Sequence, residues 1–341
     1  MVAHLLLLVS ALTATYAASV SKGQGAPTGA EVTFTGAGNM VLNGTLLKPD
    51  AKADVPAALL LPGSGPTDRD GNQPGLKTDV LKQIAERLAA NGFASLRFDK
   101  RAVAHYRSIW PKDPDEMNRF FSYDHFVEDA THAYSYLRSQ PGIDKSRVAI
   151  IGHSEGAMFA LHIASNLTGK PDQPWKIVTI GGMGRPMGGV LHAQIAGKLK
   201  EQGAGPQISQ VYLDYVDKAC AALAARKPLP PDIPQGLGTL FNATVLDIVG
   251  AYCRIDSAEL AHKYPGPVLV INGEDDTQVS PTIDAQLLYK ALKSRNTGSV
   301  DLDIVPHASH CIKQTTDSTK DVFEGPMIEE PLNRIVSFLK T

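Results

Sequence analysis

The stretch VAIIGHSEGAM, residues 148–158, places a serine between two glycines directly after a run of apolar residues. A continuous apolar run of this kind is typical of a β-strand that is buried on both faces. The residues that follow, 154–167, have the composition of a helix. A chain that passes from a buried strand into a helix within so few residues must bend sharply, so we expect a strained backbone at residue 154.

The pattern G-x-S-x-G at this bend is typical of a nucleophile elbow. Gly152 and Gly156 lack side chains that would collide there, and the bend lifts the hydroxyl of Ser154 above the edge of the sheet. The hydroxyl then lies at a helix N-terminus, where the helix dipole favours developing negative charge. The bare pattern also arises by chance, but its place between a strand and a helix favours a nucleophile.

A serine hydroxyl is a weak nucleophile unless a base takes its proton and a carboxylate orients that base. When the serine sits on such an elbow, the acid and then the histidine come later in the sequence. Asp276 follows the apolar run 267–273, and His310 follows the run 300–306. Both candidates lie at the carboxyl ends of predicted parallel strands, where open α/β sheets place their ligand sites.

Each of these candidates has a neighbour of the same residue type. Asp275 is the alternative acid, but it is more typical of a solvated turn residue than Asp276. His307 is the alternative base, but it directly follows Pro306 and is expected at the strand end, so His310 is preferred. Six further histidines are interpreted as surface or helix residues, namely His105, His125, His132, His162, His192 and His262. The cysteine spacing matches no metal site. We therefore expect neither a metal nor a cofactor.

The tetrahedral intermediate of such a reaction needs hydrogen-bond donors for its negatively charged oxygen. One expected donor is the backbone N–H of Glu155, the residue after the nucleophile. The other is expected from the loop PGSGP, residues 62–66, where glycines let the backbone approach a substrate closely. The N–H of Ser64 is the candidate, although PGSGP alone is equally typical of an ordinary tight turn.

Strand and helix patterns alternate along the chain except in one segment. The predicted strands are 31–35 and 41–47, as an antiparallel pair, then 57–62, 94–99, 148–152, 176–182, 267–273 and 300–306. The predicted helices outside that segment are 79–92, 120–139, 154–167, 282–293 and 327–340. This alternation predicts an α/β fold with a mostly parallel, doubly wound sheet.

The exception is the segment 183–262, which has no strong strand pattern. It holds two amphipathic helical runs, 210–225 and 244–253, and the proline-rich break 227–236 between them. We therefore expect a helical insert between a first core part, 27–182, and a second core part, 263–341.

The N-terminal residues 2–12 are nearly all apolar and are followed by small residues up to Ala18. This is typical of a secretory signal peptide over residues 1–18, which predicts a secreted or periplasmic protein. The run is shorter than the ~20 apolar residues that span a bilayer, so no stable membrane anchor is expected. No Lys or Arg precedes the run, which leaves an uncleaved apolar tail as the alternative.

The 341 residues carry a net charge of -2, and Lys and Arg are scattered. No basic stripe marks a face for nucleic acid. Export to an oxidising compartment would favour a disulfide between Cys220 and Cys253, which share the predicted insert. Equally, these two and Cys311 are all compatible with small buried side chains.

The chain resembles an α/β-hydrolase over residues 30–341. More narrowly, LLPGSGPTDRDGN (60–72), LRFDKR (96–101) and GMGRPMGGVLHAQ (182–194) resemble a bacterial esterase branch. That branch carries an S-G-P-x-D-R-D-G oxyanion loop and a helical cap between core strands six and seven. The resemblance implies a triad of Ser154, Asp276 and His310, an oxyanion hole formed by the amides of Ser64 and Glu155, and a cap at 183–262.

One loop departs from the pattern of that branch. After its fourth strand the branch reads D-x-R-G-x-G-x-S, whereas this chain has alanines in place of both glycines, in the stretch 99–106. Because this loop borders the site in the fold, the substrate preference is expected to differ from that of relatives. The run Asp68-Arg69-Asp70 is interpreted as structural, with its charges holding the oxyanion loop.

The resemblance implies a secreted serine hydrolase that cleaves small-molecule carboxylic esters through an acyl-enzyme. Peptidase, thioesterase and acyltransferase are alternatives with the same triad. A non-catalytic binding protein on a hydrolase scaffold is a further alternative, which would be indicated by a broken triad.

Overall fold

In the computed structural model, which describes residues 29–51, 53–317 and 322–341, eight strands form one sheet. In chain order they are β1 (Ala30–Thr35), β2 (Val41–Leu47), β3 (Val55–Leu61), β4 (Ala94–Phe98), β5 (Ile143–His153), β6 (Ile177–Ile180), β7 (Val268–Gly273) and β8 (Val300–Val305). Their order across the sheet is β1-β2-β4-β3-β5-β6-β7-β8. β2 pairs antiparallel with β1 and β4, and all other neighbours are parallel. The predicted α/β class and the leading antiparallel pair are confirmed.

Helices cover both faces of the sheet. In the described residues they are α1 (Val80–Ala89), α2 (Pro114–Phe120), α3 (Tyr123–Ser139), α4 (Glu155–Leu167), α5 (Met187–Glu201), α6 (Pro206–Ala224), α7 (Leu246–Arg254), α8 (Ser257–Lys263), α9 (Gln286–Lys293) and α10 (Glu329–Lys340). None of these described helices is long and apolar enough to cross a bilayer. The signal peptide predicted for residues 1–18 lies outside the described residues.

The alternation of side chains along the central strands divides the core into two layers. In β3, Leu59 and Leu61 pack with apolar residues of α3 and α4 on one face. Ala58 and Leu60 point to the other face, where they pack with residues of α1 and α10. The apolar run in β3 predicts a strand buried on both faces, and the structure confirms this burial.

The chain between β6 and β7 contains α5 to α8 and no strand among its residues, all of which are described. The sequence pattern predicts α6 and α7 but misses α5 and α8. In α5, glycines at 188, 189 and 197 lower the helix propensity, and its helix is held by burial of Val190 and Ile195 instead. A disulfide between Cys220 and Cys253 joins α6 to α7, while Cys311 lies buried outside this segment.

Candidate active site

The backbone bends sharply at Ser154, between the end of β5 at His153 and the start of α4 at Glu155. Ser154 has a φ of 56° and a ψ of -120°, a region that residues with a side chain rarely adopt. Its N–H donates a 2.8 Å hydrogen bond to the carbonyl of Ile180 at the end of β6. Ser154 is half-buried, whereas both of its neighbours are buried. The strained bend expected from the sequence is present.

The two glycines of the motif are needed for close approaches between backbone segments. A Cβ on Gly152 would lie 2.1 Å from the carbonyl oxygen of Gly156. A Cβ on Gly156 would lie 2.3 Å from the carbonyl oxygen of Leu61 in β3. Neither position has room for a side chain, so the bend depends on glycine at both.

Asp276 and His310 contact each other at the carboxyl ends of β7 and β8. The Nδ1 of His310 donates to Oδ2 of Asp276 over 2.8 Å, and both residues are buried, at 6% and 7% exposure. The other carboxylate oxygen of Asp276 accepts the N–H groups of Gln278 and Val279, each at 2.8 Å. The amide of Asn272 donates to Oδ2 over 3.1 Å. These donors fix the carboxylate so that it orients the His310 ring.

The neighbouring candidates lie elsewhere. Asp275 accepts a hydrogen bond from the hydroxyl of Thr315. The side chain of His307 is 73% exposed, and its Nδ1 is 4.0 Å from Asp275. The structure therefore brings His310 to Asp276, the preferred pair, and leaves His307 at the protein surface, while the side chain of Asp275 is only 9% exposed and bonds to Thr315 instead.

Gly181, directly after β6, lies next to the pair of Asp276 and His310 and follows the residue that bonds to Ser154. A Cβ on Gly181 would lie 2.9 Å from ring atoms of His310 and 3.4 Å from Oδ2 of Asp276. The preceding residue, Ile180, is the one whose carbonyl accepts the N–H of Ser154. The three predicted residues therefore surround the same end of β6, at one edge of the sheet.

The loop predicted to hold one oxyanion donor packs against Ser154. A Cβ on Gly63 would lie 3.2 Å from the Cβ of Ser154, so the peptide that joins Gly63 to Ser64 lies beside Ser154. The carbonyl of Ser64 accepts hydrogen bonds from the hydroxyl of Thr67 and the amide of Gln73, at 2.7 and 2.8 Å. Glu155 is the first residue of α4, where backbone N–H groups have no acceptor within the helix.

Charged residues hold this loop onto the sheet, in line with their structural interpretation. Arg69 bonds to Asp99 at 2.7 Å and to Glu31 at 2.6 Å. Asp70 forms an ion pair with Arg97 of β4. These pairs tie the loop to the ends of β1 and β4 and leave its glycine-rich part beside Ser154.

His153 immediately precedes Ser154, but no sequence pattern predicts a role for it. The Nε2 of His153 donates to the backbone carbonyl of His310 over 3.1 Å, and the two rings lie 4.8 Å apart. Burial, together with the neighbouring His310, lowers the pKa of His153 to about 3. His153 is therefore neutral at ordinary pH, and its one N–H supports the loop that carries His310. The available signal was a polar residue directly after the apolar run 148–152.

A second set of residues missed from the sequence is the buried cluster of Lys100, Glu155 and Tyr252 beside the elbow. No local pattern links them, because they are distant in sequence. Among the described residues, no group of three or more His, Cys, Asp or Glu side chains is arranged to hold a metal ion.

Comparison with known proteins identifies the family. A family model described as serine aminopeptidase, S33 (Hydrolase_4) matches residues 77–317, which is more than half of the chain. Esterase EstD of Thermotoga maritima is 29% identical over 258 residues, which are 74% of this chain and 54% of the relative. The chain thus spans about half the length of this curated relative.

Solved structures share the architecture. The esterase PF2001 of Pyrococcus furiosus superposes with a TM-score of 0.56 at 19% identity, covering 92% of this chain and 90% of its own. Est1E of Butyrivibrio proteoclasticus superposes with a TM-score of 0.52 at 14% identity, covering 92% and 96%. At such identities the likeness shows the fold alone, which is that of the α/β-hydrolases. Together with the family match, this means that the chain belongs to the Hydrolase_4 family of α/β-hydrolases.

Proposed function

We propose that the protein cleaves carboxylic esters of small molecules as a serine hydrolase, with Ser154 as the nucleophile. His310 acts as general base and acid, and Asp276 orients it. The observation that carries this proposal is the 2.8 Å contact from Nδ1 of His310 to Asp276, made at the strand edge where the strained elbow presents Ser154. If the contact between His310 and Asp276 were absent, a non-catalytic binding protein would be favoured instead.

The proposed reaction follows from the protonation states. Asp276 holds the proton of His310 on Nδ1, which leaves Nε2 as the acceptor for the proton of Ser154. The serine oxygen attacks the ester carbonyl, and His310 passes the proton to the departing alcohol. Water then attacks the acyl-enzyme, with His310 as its base, and releases the acid. The N–H groups of Ser64 and Glu155 stabilise the oxyanion, and each is worth about 3 kcal/mol.

We prefer ester hydrolysis to aminopeptidase activity because the acidic side chains near the site already have partners within the protein. An aminopeptidase needs a negative group to bind the substrate's free amine. The carboxylate of Glu155 pairs with Lys100, that of Asp276 with His310, and that of Asp275 with Thr315. The matching relative named as an esterase supports the same preference.

We further propose that residues 183–262 form a cap over a core made of 27–182 and 263–341. Four helices and the disulfide between Cys220 and Cys253 support a separately braced unit. The disulfide also supports export, since such bonds persist in oxidising compartments, and so supports the signal peptide proposed at 1–18.

Activity on p-nitrophenyl esters of increasing acyl length, compared with matched p-nitroanilides, tests this proposal. The wild type should hydrolyse esters faster than anilides. Ser154→Ala should lower kcat on the order of 10⁶-fold. Ser135→Ala, on an exposed position of α3, is the matched control and should keep wild-type activity. Faster cleavage of anilides would instead indicate a peptidase.

A further inference from the structure

Three buried polar groups meet directly behind the nucleophile elbow. Lys100, Glu155 and Tyr252 are only 4%, 2% and 5% exposed. The ammonium group of Lys100 donates to one carboxylate oxygen of Glu155, and the hydroxyl of Tyr252 donates to the other. Lys100 also donates to the carbonyl of Gly63 over 3.0 Å. The cluster therefore joins the end of β4, the start of α4, the loop after β3, and helix α7.

The bond from Lys100 to Gly63 determines the orientation of one peptide group. A trans peptide is planar, and its C=O and N–H point in opposite directions. The carbonyl of Gly63 and the N–H of Ser64 belong to the same peptide. When Lys100 holds the carbonyl inward, the N–H of Ser64 must point away from Lys100. Lys100 thereby sets the direction of one proposed oxyanion donor.

The second proposed donor is attached to the same cluster. The N–H of Glu155 belongs to the residue whose carboxylate is held by both Lys100 and Tyr252. Burial and the charge of Glu155 raise the pKa of Tyr252 well above its ordinary value, so its hydroxyl remains a donor. Lys100 additionally lies over the ring of Phe126, 5.0 Å from its centroid, which restricts its movement.

Another buried ion pair provides a contrast. Arg101 and Asp129 are equally buried, and both bond to the backbone of Ala37, in the turn between β1 and β2. That pair braces a turn remote from Ser154. In the pair of Lys100 and Glu155, by contrast, Lys100 bonds to the peptide that carries the N–H of Ser64, and Glu155 itself carries the other proposed donor. A buried ion pair is weak evidence of a stabilising role. The position of Lys100 and Glu155 therefore favours a role in holding the two proposed donors.

We propose that Lys100 is a positioning residue for the oxyanion hole, and that Tyr252 links the position of the helical insert to it. The inference rests on the proposed function and extends it to residues that do not touch the substrate. Removing the cluster should weaken binding of the transition state more than binding of the substrate, because the donors remain but are misdirected.

The test uses a double variant, Lys100→Met with Glu155→Gln, which removes both charges and leaves neither buried alone. We expect kcat for a p-nitrophenyl ester to fall on the order of 10–100-fold, with KM changed less than about twofold. The affinity for an aryl trifluoromethyl ketone, whose adduct with serine carries the oxyanion, should fall by the same factor as kcat/KM. Tyr252→Phe keeps the ring and should show a smaller fall in kcat of the same kind.

Lys176→Met is the matched control, because Lys176 is also buried and donates to the carbonyl of Phe338, far from the elbow. It should lower stability but keep kcat. Unchanged kcat and inhibitor affinity in both the double variant and Tyr252→Phe would overturn the inference, as would an equal loss of kcat in Lys176→Met. If the double variant does not fold, Tyr252→Phe tests the link between α7 and the oxyanion hole, and Lys100→Arg, which keeps the charge but not the geometry of the bond to Gly63, tests the role of Lys100 by the same loss of kcat. Failure of the proposed function looks different, since either the wild type would not hydrolyse the ester or Ser154→Ala would hydrolyse it as fast as the wild type.

Discussion

The residues next to Ser154, Asp276 and His310 determine how these three side chains are held. His153 is the clearest case, because its side chain turns back from the elbow to support the loop of His310. It is buried and its Nε2 bonds to the carbonyl of His310 at 3.1 Å. Burial lowers the pKa of His153 to about 3, so the folded protein keeps this ring neutral where an unfolded chain would protonate it.

A stability prediction follows from that pKa. Between about pH 6.5 and pH 3 the unfolded chain binds a proton at position 153 that the folded chain does not. Stability should therefore fall as the pH is lowered from 6.5 towards 3. His153→Leu removes this group, so its urea midpoint should decline less steeply over the same range. Parallel curves for wild type and His153→Leu would contradict the assignment of a neutral, buried histidine.

Sequence position explains which residues of the candidate site could be predicted and which could not. The sequence predicts Ser154, Asp276 and His310 as site residues because each follows a strongly apolar strand, and the ends of parallel strands meet at one edge. Lys100, Glu155 and Tyr252 were missed as a cluster because they come from segments 55 and 97 residues apart. The hydrophobic periodicity of the sequence cannot predict such a contact, because the contact depends on how helix α7 packs on the elbow.

At the scale of elements, the turn from β5 into α4 depends on backbone segments that approach closely. Gly156→Ala would put a Cβ 2.3 Å from the carbonyl oxygen of Leu61 and 2.8 Å from that of Pro62. Neither atom can move without shifting β3, so we expect destabilisation by at least about 3 kcal/mol, or no folding. Urea denaturation followed by circular dichroism measures this loss.

Gly197→Ala in α5 is the control for this substitution. Its Cβ would have no atom within 4 Å, and the position is exposed. An alanine there should stabilise the helix by about 0.5–1 kcal/mol. If Gly156→Ala were as stable as Gly197→Ala, the close packing of the elbow on β3 would be wrong.

Elements with a strong apolar pattern were predictable from the sequence, and elements without one were not. The strands β3 and β7 are buried on both faces, and β5 is buried from residue 148 onward, so these stretches are almost continuously apolar and easily recognised. Helix α5 was missed because its glycines disfavour a helix locally, and burial against its neighbours outweighs that preference. Helix α8 has only seven residues, too few for a periodic pattern.

At the scale of the whole molecule, the insert between β6 and β7 is joined to the elbow through Tyr252 and braced by one disulfide among the described residues. Cys220 and Cys253 are 33 residues apart. Closing a loop of that length stabilises a fold by about 3–4 kcal/mol through the unfolded state. The insert should therefore be the part of the protein most affected by reduction.

Dithiothreitol tests this expectation. Reduction of the wild type should lower its urea midpoint, whereas the variant Cys220→Ala with Cys253→Ala should start from the lower midpoint and show no further change. A wild type that is insensitive to reductant, with alkylatable thiols at both positions before treatment, would contradict the disulfide.

The central claim is that Ser154 is an activated nucleophile, and covalent capture tests it most directly. The wild type should react with a fluorophosphonate, gain the mass of one phosphonyl group, and carry it on the peptide that contains Ser154. Ser154→Ala should gain no mass, and His310→Gln should react far more slowly because the base is lost. A folded wild type that never reacts, or an adduct mapped to another residue, would contradict the account.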